Sequence, residues 1–93
     1  MRLRWTPVAA DDLESIYEYL SENHPSFAHS TAQLLYDTIR SLRQSPERGR
    51  HGVEPWNSGV EVARLPYIIV YRTTQEIVEV VRILHTSQDR RLH

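Results

Sequence analysis

Apolar residues recur at Ala9, Leu13, Ile16, Tyr17 and Leu20, the spacing of one buried stripe at 3.6 residues per turn, with acids on the remaining faces. Thr6-Pro7 ahead of this run reads as an N-cap followed by proline at the first helical position, where its missing N–H costs nothing. Asp11 and Asp12 are expected in the first turn, near the positive end of the helix dipole. His24-Pro25 ends the pattern. A second stripe follows at Ala28, Ala32, Leu35, Ile39 and Leu42, with Ser26 as its expected cap and Ser45-Pro46 as its stop. The link between the two is short, so they should form an antiparallel hairpin. Tyr36 lies beside the seam and is expected to pack rather than bind.

Beyond Pro46 the period changes. Residues 46–59, PERGRHGVEPWNSG, read as a loop or a weak edge strand. Strands are expected at Val60 to Leu65, Tyr67 to Arg72 and Ile77 to His85. YIIVY in the middle strand is apolar on both faces, as a central strand requires, whereas Glu61, Arg64, Glu79 and Arg82 interrupt its neighbours. Thr73 to Glu76 forms the expected hairpin loop, and Leu3 and Trp5 alternate with Arg2 and Arg4 in a first strand that joins the same sheet. The order strand, helix, helix, three-stranded meander predicts an α+β fold in which residues 1–93 make one domain, with both helices on one face of an antiparallel sheet. The opposite face should then meet water or a partner.

Composition narrows the function classes. A chain of 93 residues supports one core and at most one site. It has no run long and apolar enough for a membrane span and no apolar leader, which points to the cytoplasm. Cysteine is absent, so thiol catalysis and thiolate metal sites are excluded. The net charge of -1 conceals a division: six acids and no Arg or Lys lie between Trp5 and Ile39, and the cations sit at Arg2, Arg4 and from Arg40 onward. All 11 cations are arginine. This suits bidentate contact with carboxylates or phosphates, although genomic codon bias accounts for it equally well. His24 and His29 straddle a helix break, His51 lies in the loop and His93 is terminal, so neither a metal nor a cofactor is expected.

Trp5 followed by Ala10, Leu13, Ile16 and Tyr19-Leu20; Leu42 with Pro46 and Gly49-Arg50; Arg64 and then Pro66-Tyr67-Ile68-Ile69-Val70-Tyr71-Arg72; and finally Arg82-Ile83-Leu84-His85 with Asp89: in this order and spacing the chain resembles the RelE/ParE superfamily of bacterial type II toxin-antitoxin toxins. The resemblance implies one of two activities. RelE-like members cut messenger RNA on the ribosome; ParE-like members are taken to poison DNA gyrase. The nuclease branch places an arginine directly after the first tyrosine of the middle strand, and here that position is Ile68, which can neither grip a phosphate nor stabilise its developing charge. Lysines are absent as well, and Gln88 stands where a C-terminal cation is common in that branch. The match is therefore to the ParE-like branch.

That resemblance implies a growth-arresting toxin of the plasmid-stabilisation type that acts by binding a target such as gyrase, held in a hetero-oligomer by a ParD-like antitoxin. Its expected partner-binding residues are Arg64, Arg72, Arg82, Trp56, Arg90 and Arg91, with carboxylates of a disordered antitoxin tail meeting the arginines. Trp56 reads equally well as a lid over the core. The rival is an endoribonuclease using His85 with Arg64, Arg82 and Glu61, since histidine is the usual general acid or base near neutrality. Strand alternation puts Arg82 and His85 on opposite faces, which favours His85 as an anchor of the C-terminal segment. A third alternative is a non-toxic relic that only binds an antitoxin.

Overall fold

Thr6 turns the chain from strand to helix, and most of the architecture follows from how that corner is tied. The computed structural model describes residues 1–51 and 57–88. Strand β1 (Arg2–Trp5) leads into helix α1 (Pro7–Asn23) and helix α2 (Pro25–Ser41). A 3-10 turn at Pro46–Arg48 precedes β2 (Arg50–His51), β3 (Ser58–Glu61), β4 (Tyr67–Thr73), β5 (Ile77–His85) and a closing 3-10 turn at Thr86–Gln88. The sheet order is β1-β5-β4-β3-β2.

Thr6 caps α1 as expected, its hydroxyl accepting from the Ala9 N–H at 3.0 Å. For α2 the cap differs from expectation: His24 (φ -144°, ψ 60°) occupies the N-cap without a side-chain bond, and Ser26 lies inside the first turn because Pro25 already supplies the helical φ. The helix also ends earlier, at Ser41, not at Ser45. Leu42 to Ser45 continue as tight turns, with Leu42 bonded to the Ile39 carbonyl and Gln44 to that of Ser41. Asp11 and Asp12 fall one turn beyond the start of α1, so the helix dipole is not their reason for being there.

Two strand expectations also change. The third strand stops at Glu61, because residues 62–65 form a turn closed by the Leu65 N–H on the Val62 carbonyl at 3.1 Å. The sheet is mixed, since β1 pairs parallel with β5 in the register Arg2–Ile77 to Trp5–Val80, while the other neighbours pair antiparallel. A two-residue edge strand, β2, emerges from the segment expected as loop or weak strand.

Both helices pack on one sheet face. Leu35, Ile39 and Leu42 of the α2 side meet Val60, Ile69, Tyr71, Val78, Val80 and Ile83, and α1 approaches through small Ala9 with Leu13 and Ile16 packed alongside. Strand β4 alternates regularly, sending Tyr67, Ile69 and Tyr71 inward and Ile68, Val70 and Arg72 to the other face. Strand β5 does not. Tyr71 opposes Val80 but Val70 opposes Arg82, so Val81 is an extra, bulged residue. The bulge lets Val78 and Val80 share the core with Ile83 while Glu79 faces outward. The outward face is open at Glu61 and Arg72 yet closed at Ile68, which is 1% exposed.

Tyr71 secures the loop after α2. Its buried hydroxyl accepts from the Gly49 N–H at 2.8 Å and donates to the Pro46 carbonyl at 2.5 Å. Gly49 has no room for a side chain, since a Cβ there would stand 2.5 Å from that hydroxyl oxygen. Burial pushes the Tyr71 hydroxyl above its ordinary pKa; the Gly49 bond and Arg48 work the other way and Glu47 adds to the rise. Tyr71→Phe orphans one donor and one acceptor and should lower the free energy of unfolding in urea by about 1–3 kcal/mol at neutral pH. A raised native value means this contribution is intact below pH ~10 and lost as pH climbs through the native value. The wild-type thermal midpoint should therefore fall on the alkaline side, and the fall should be shallower in Tyr71→Phe.

Candidate functional site

Three of the arginines expected at a partner surface are described, and the fold treats each differently. Arg82 is bound within the chain. Its Nε and Nη2 donate to the two carboxylate oxygens of Asp12 at 2.8 and 3.1 Å, and the Ile83 N–H donates to the same Asp12 at 2.9 Å. Asp12 is mostly buried, with 16% of its side chain exposed, so the geometry is fixed from both sides. The Asp12 hydrogen bond raises the Arg82 pKa above its ordinary value; burial works the other way and the Asp12 charge adds to the rise. Earlier in the chain, the Thr6 hydroxyl donates to the Val81 carbonyl and the Thr6 N–H to that of Val80, at 2.9 and 3.0 Å. The start of α1 thus closes the free edge of β5 beside its bulge.

Arg72 is also engaged. It bonds Glu79 across the β4–β5 ladder at 2.5 Å, and Arg4 of β1 reaches the other oxygen of Glu79 at 3.4 Å. Two guanidinium groups thus flank a single, mostly buried carboxylate on the outward face.

Arg64 sits in the turn between β3 and β4 with φ 67°, in the left-handed region. Among the described residues it is the only non-glycine with positive φ. The side chain is exposed, and no hydrogen bond or ion pair holds it among the described residues.

His85 stands at the end of β5 opposite Tyr67, with the two rings edge to face at 5.7 Å. The Ser87 N–H donates to its Nδ1 at 3.1 Å, with the Ser87 hydroxyl 2.9 Å away, so the ring caps the 3-10 turn that follows. The register places His85 level with Tyr67, on the helix-covered face, whereas Glu61 opposes Ile68 on the outward face; Arg82 opposes Val70, but its guanidinium is turned to Asp12 of α1. The residues of the nuclease alternative are therefore divided between two sides of the sheet. Trp56, Arg90, Arg91 and Asp89 lie outside the described residues. Among the described residues no group of three or more His, Asp or Glu converges as a metal site, and no helix is long and apolar enough to cross a membrane.

The sequence placed Tyr17 in the buried stripe of α1 and led Tyr36 to be expected to pack rather than bind, but both are partly exposed in a groove beside β1 that the periodicity does not show. Trp5, Ala10, Leu13, Tyr17, Ala32 and Tyr36, together with Glu14, line a largely apolar channel where α1, α2 and β1 meet. Trp5 and Tyr36 stack at 6.4 Å between centroids, with the Arg40 guanidinium 6.0 Å from the Tyr36 ring. Tyr17 and Tyr36 are 44% and 43% exposed, enough to meet a partner.

The family model described as the ParE toxin of the type II toxin-antitoxin system parDE matches residues 3–90. This chain belongs to that family. Relatives of the ParE-family toxin include RelE2 of Caulobacter vibrioides, 34% identical over 84 residues that cover 90% of this chain and 93% of RelE2. Y4kP of Sinorhizobium fredii is 30% identical over 87 residues, covering 94% and 90% respectively. A structure from the chromosomal ParDE system of P. aeruginosa superposes with a TM-score of 0.85 at 26% identity, over 91% of this chain and 95% of that one. The YoeB/ParE toxin from Agrobacterium tumefaciens shares the fold, with a TM-score of 0.59 at 19% identity over 91% and 98%.

In this ParE-family toxin the Asp12 contacts support the sheet edge, so their removal should be felt as stability. Asp12→Ala should lower the unfolding free energy by about 1–3 kcal/mol, chiefly because the Ile83 N–H loses its acceptor. Arg82→Ala should cost less than about 1 kcal/mol, as its own pair is partly solvated. Urea titration of both variants checks this order.

Proposed function

We propose that the protein is a toxin that arrests growth by binding a target such as DNA gyrase, in the cytoplasm, and that a ParD-like antitoxin neutralises it within a hetero-oligomer. The observation that carries this reading is the division of the nuclease set. Ile68 takes the place of the phosphate-gripping arginine and is buried, His85 stands across the sheet from Glu61, and Arg82 is engaged by Asp12. RNA cleavage needs a base, an acid and cations around one phosphate, on one side of a surface. Membership in the ParE toxin family and likeness to a ParDE system support an antitoxin as partner.

The antitoxin's tail fits two features at once. Its apolar residues suit the groove lined by Trp5, Leu13, Tyr17 and Tyr36. Its carboxylates are repelled by the acids of α1 and drawn toward the arginines of the sheet, which orients docking more than it sets affinity. The likeness to a protein named RelE2 favours a second reading, ribosome-dependent messenger RNA cleavage with His85 as acid or base.

Induction of the protein alone, followed by primer extension on total RNA and by a supercoiling assay with purified gyrase, separates the readings. Transcripts should stay intact, supercoiling should be inhibited, and His85→Ala should remain toxic. Prompt ribosome-dependent cleavage lost in His85→Ala would establish the nuclease instead. A chain that does not slow growth at all is the inert, antitoxin-binding relic.

A further inference from the structure

Arg64 occupies a conformation that the backbone would yield more readily to glycine or asparagine. The turn is fixed from several directions: Val62 N–H bonds the Tyr67 carbonyl at 3.1 Å, Leu65 N–H bonds the Val62 carbonyl at 3.1 Å, and Thr86 N–H bonds the Pro66 carbonyl at 2.8 Å. The strain is therefore held in place by its surroundings and gains nothing visible in return, since the exposed guanidinium takes no hydrogen bond or ion pair among the described residues. Arg72 and Arg82, the other arginines among the described residues that were expected to meet a partner's acids, are already committed to Glu79 and Asp12, and Arg90 and Arg91 lie outside those residues. An exposed guanidinium at a positive φ, without a partner among the described residues, is available to a group outside the fold.

We infer that Arg64 is the charge contact through which this toxin grips a carboxylate of its antitoxin, whereas Arg72 and Arg82 serve the framework. The inference rests on the antitoxin reading given above. A carboxylate on an apolar tail suits the site better than a nucleic acid does. One guanidinium satisfies one carboxylate, with bidentate geometry available, while a polyanion would run against the net charge of -1 and the acids of the helix hairpin.

The test uses the purified toxin and the antitoxin encoded beside its gene, with calorimetric affinities at about 50 mM and about 300 mM salt, where screening differs strongly. Arg64→Gly and Arg64→Asn both accept the left-handed backbone, so their thermal midpoints should equal or exceed the wild-type value. Both should bind the antitoxin roughly tenfold more weakly at low salt, with the gap narrowing at high salt, and Arg64→Lys should fall between. Arg72→Ala and Arg82→Ala should lower the thermal midpoint and change affinity less. Wild-type affinity in Arg64→Gly overturns the inference and leaves the antitoxin reading standing. Lower midpoints in both the Gly and Asn variants assign the guanidinium to the fold and overturn it too. Loss of single-stranded RNA binding in these variants with antitoxin affinity unchanged also overturns it. A wild-type toxin that forms no complex removes the antitoxin reading and this inference with it.

Discussion

The bulge at Val81 displaces β5 by one residue against β4, and the polar groups along its outer edge then need partners that β1 is too short to supply. Thr6 and Asp12 provide them, one turn and a half apart at the start of α1, by taking up the Val80 and Val81 carbonyls and the Ile83 N–H. Much follows from this corner. It sets where α1 crosses the sheet, and hence where α2 and the groove beside Trp5 come to lie. It also turns Glu79 outward, between Arg4 and Arg72, instead of into the core.

The charge division along the chain gains a spatial meaning from the same arrangement. The acidic segment is the first helix and most of the second; the basic segment is the sheet and the turns around it. Where the two meet, at Asp12–Arg82, the opposite charges hold helix to strand, and across the sheet Glu79 neutralises part of the remaining positive charge. Among the described residues this leaves, besides other surface groups, an aromatic groove in an acidic setting and the strained, exposed Arg64 in the β3–β4 turn. Such a surface suits a partner that is itself mixed, apolar along one stretch and acidic at another, better than it suits a uniform polyanion.

Much of the fold was legible in one dimension. Thr6-Pro7 marks the start of α1, His24-Pro25 the hairpin and YIIVY the central strand, because caps, prolines and side-chain period act over a few residues. Even the bulge leaves a trace, since the Val80-Val81 pair breaks the alternation that Val78 and Val80 begin and Ile83 and His85 resume out of phase. The candidate site was less legible. Arg64, Arg72 and Arg82 look alike in the sequence, yet only Arg64 is without an internal carboxylate partner among the described residues. Nothing near Arg64 announces a left-handed residue, as glycine or asparagine would.

The sequence by itself determined the order of elements, the inward faces of the helices and of β4, the charge division and, through Ile68, the loss of the nuclease branch's arginine. These are local properties, written in periodicity and residue type. The tertiary structure alone decided that β1 runs parallel to β5 and which arginines are already paired. Asp12 and Arg82 are 70 residues apart, and Arg4 and Glu79 meet only because the first strand docks beside the last. No local pattern encodes such meetings. They arise from the register in which distant segments pair, and that register is fixed by burying the whole core at once.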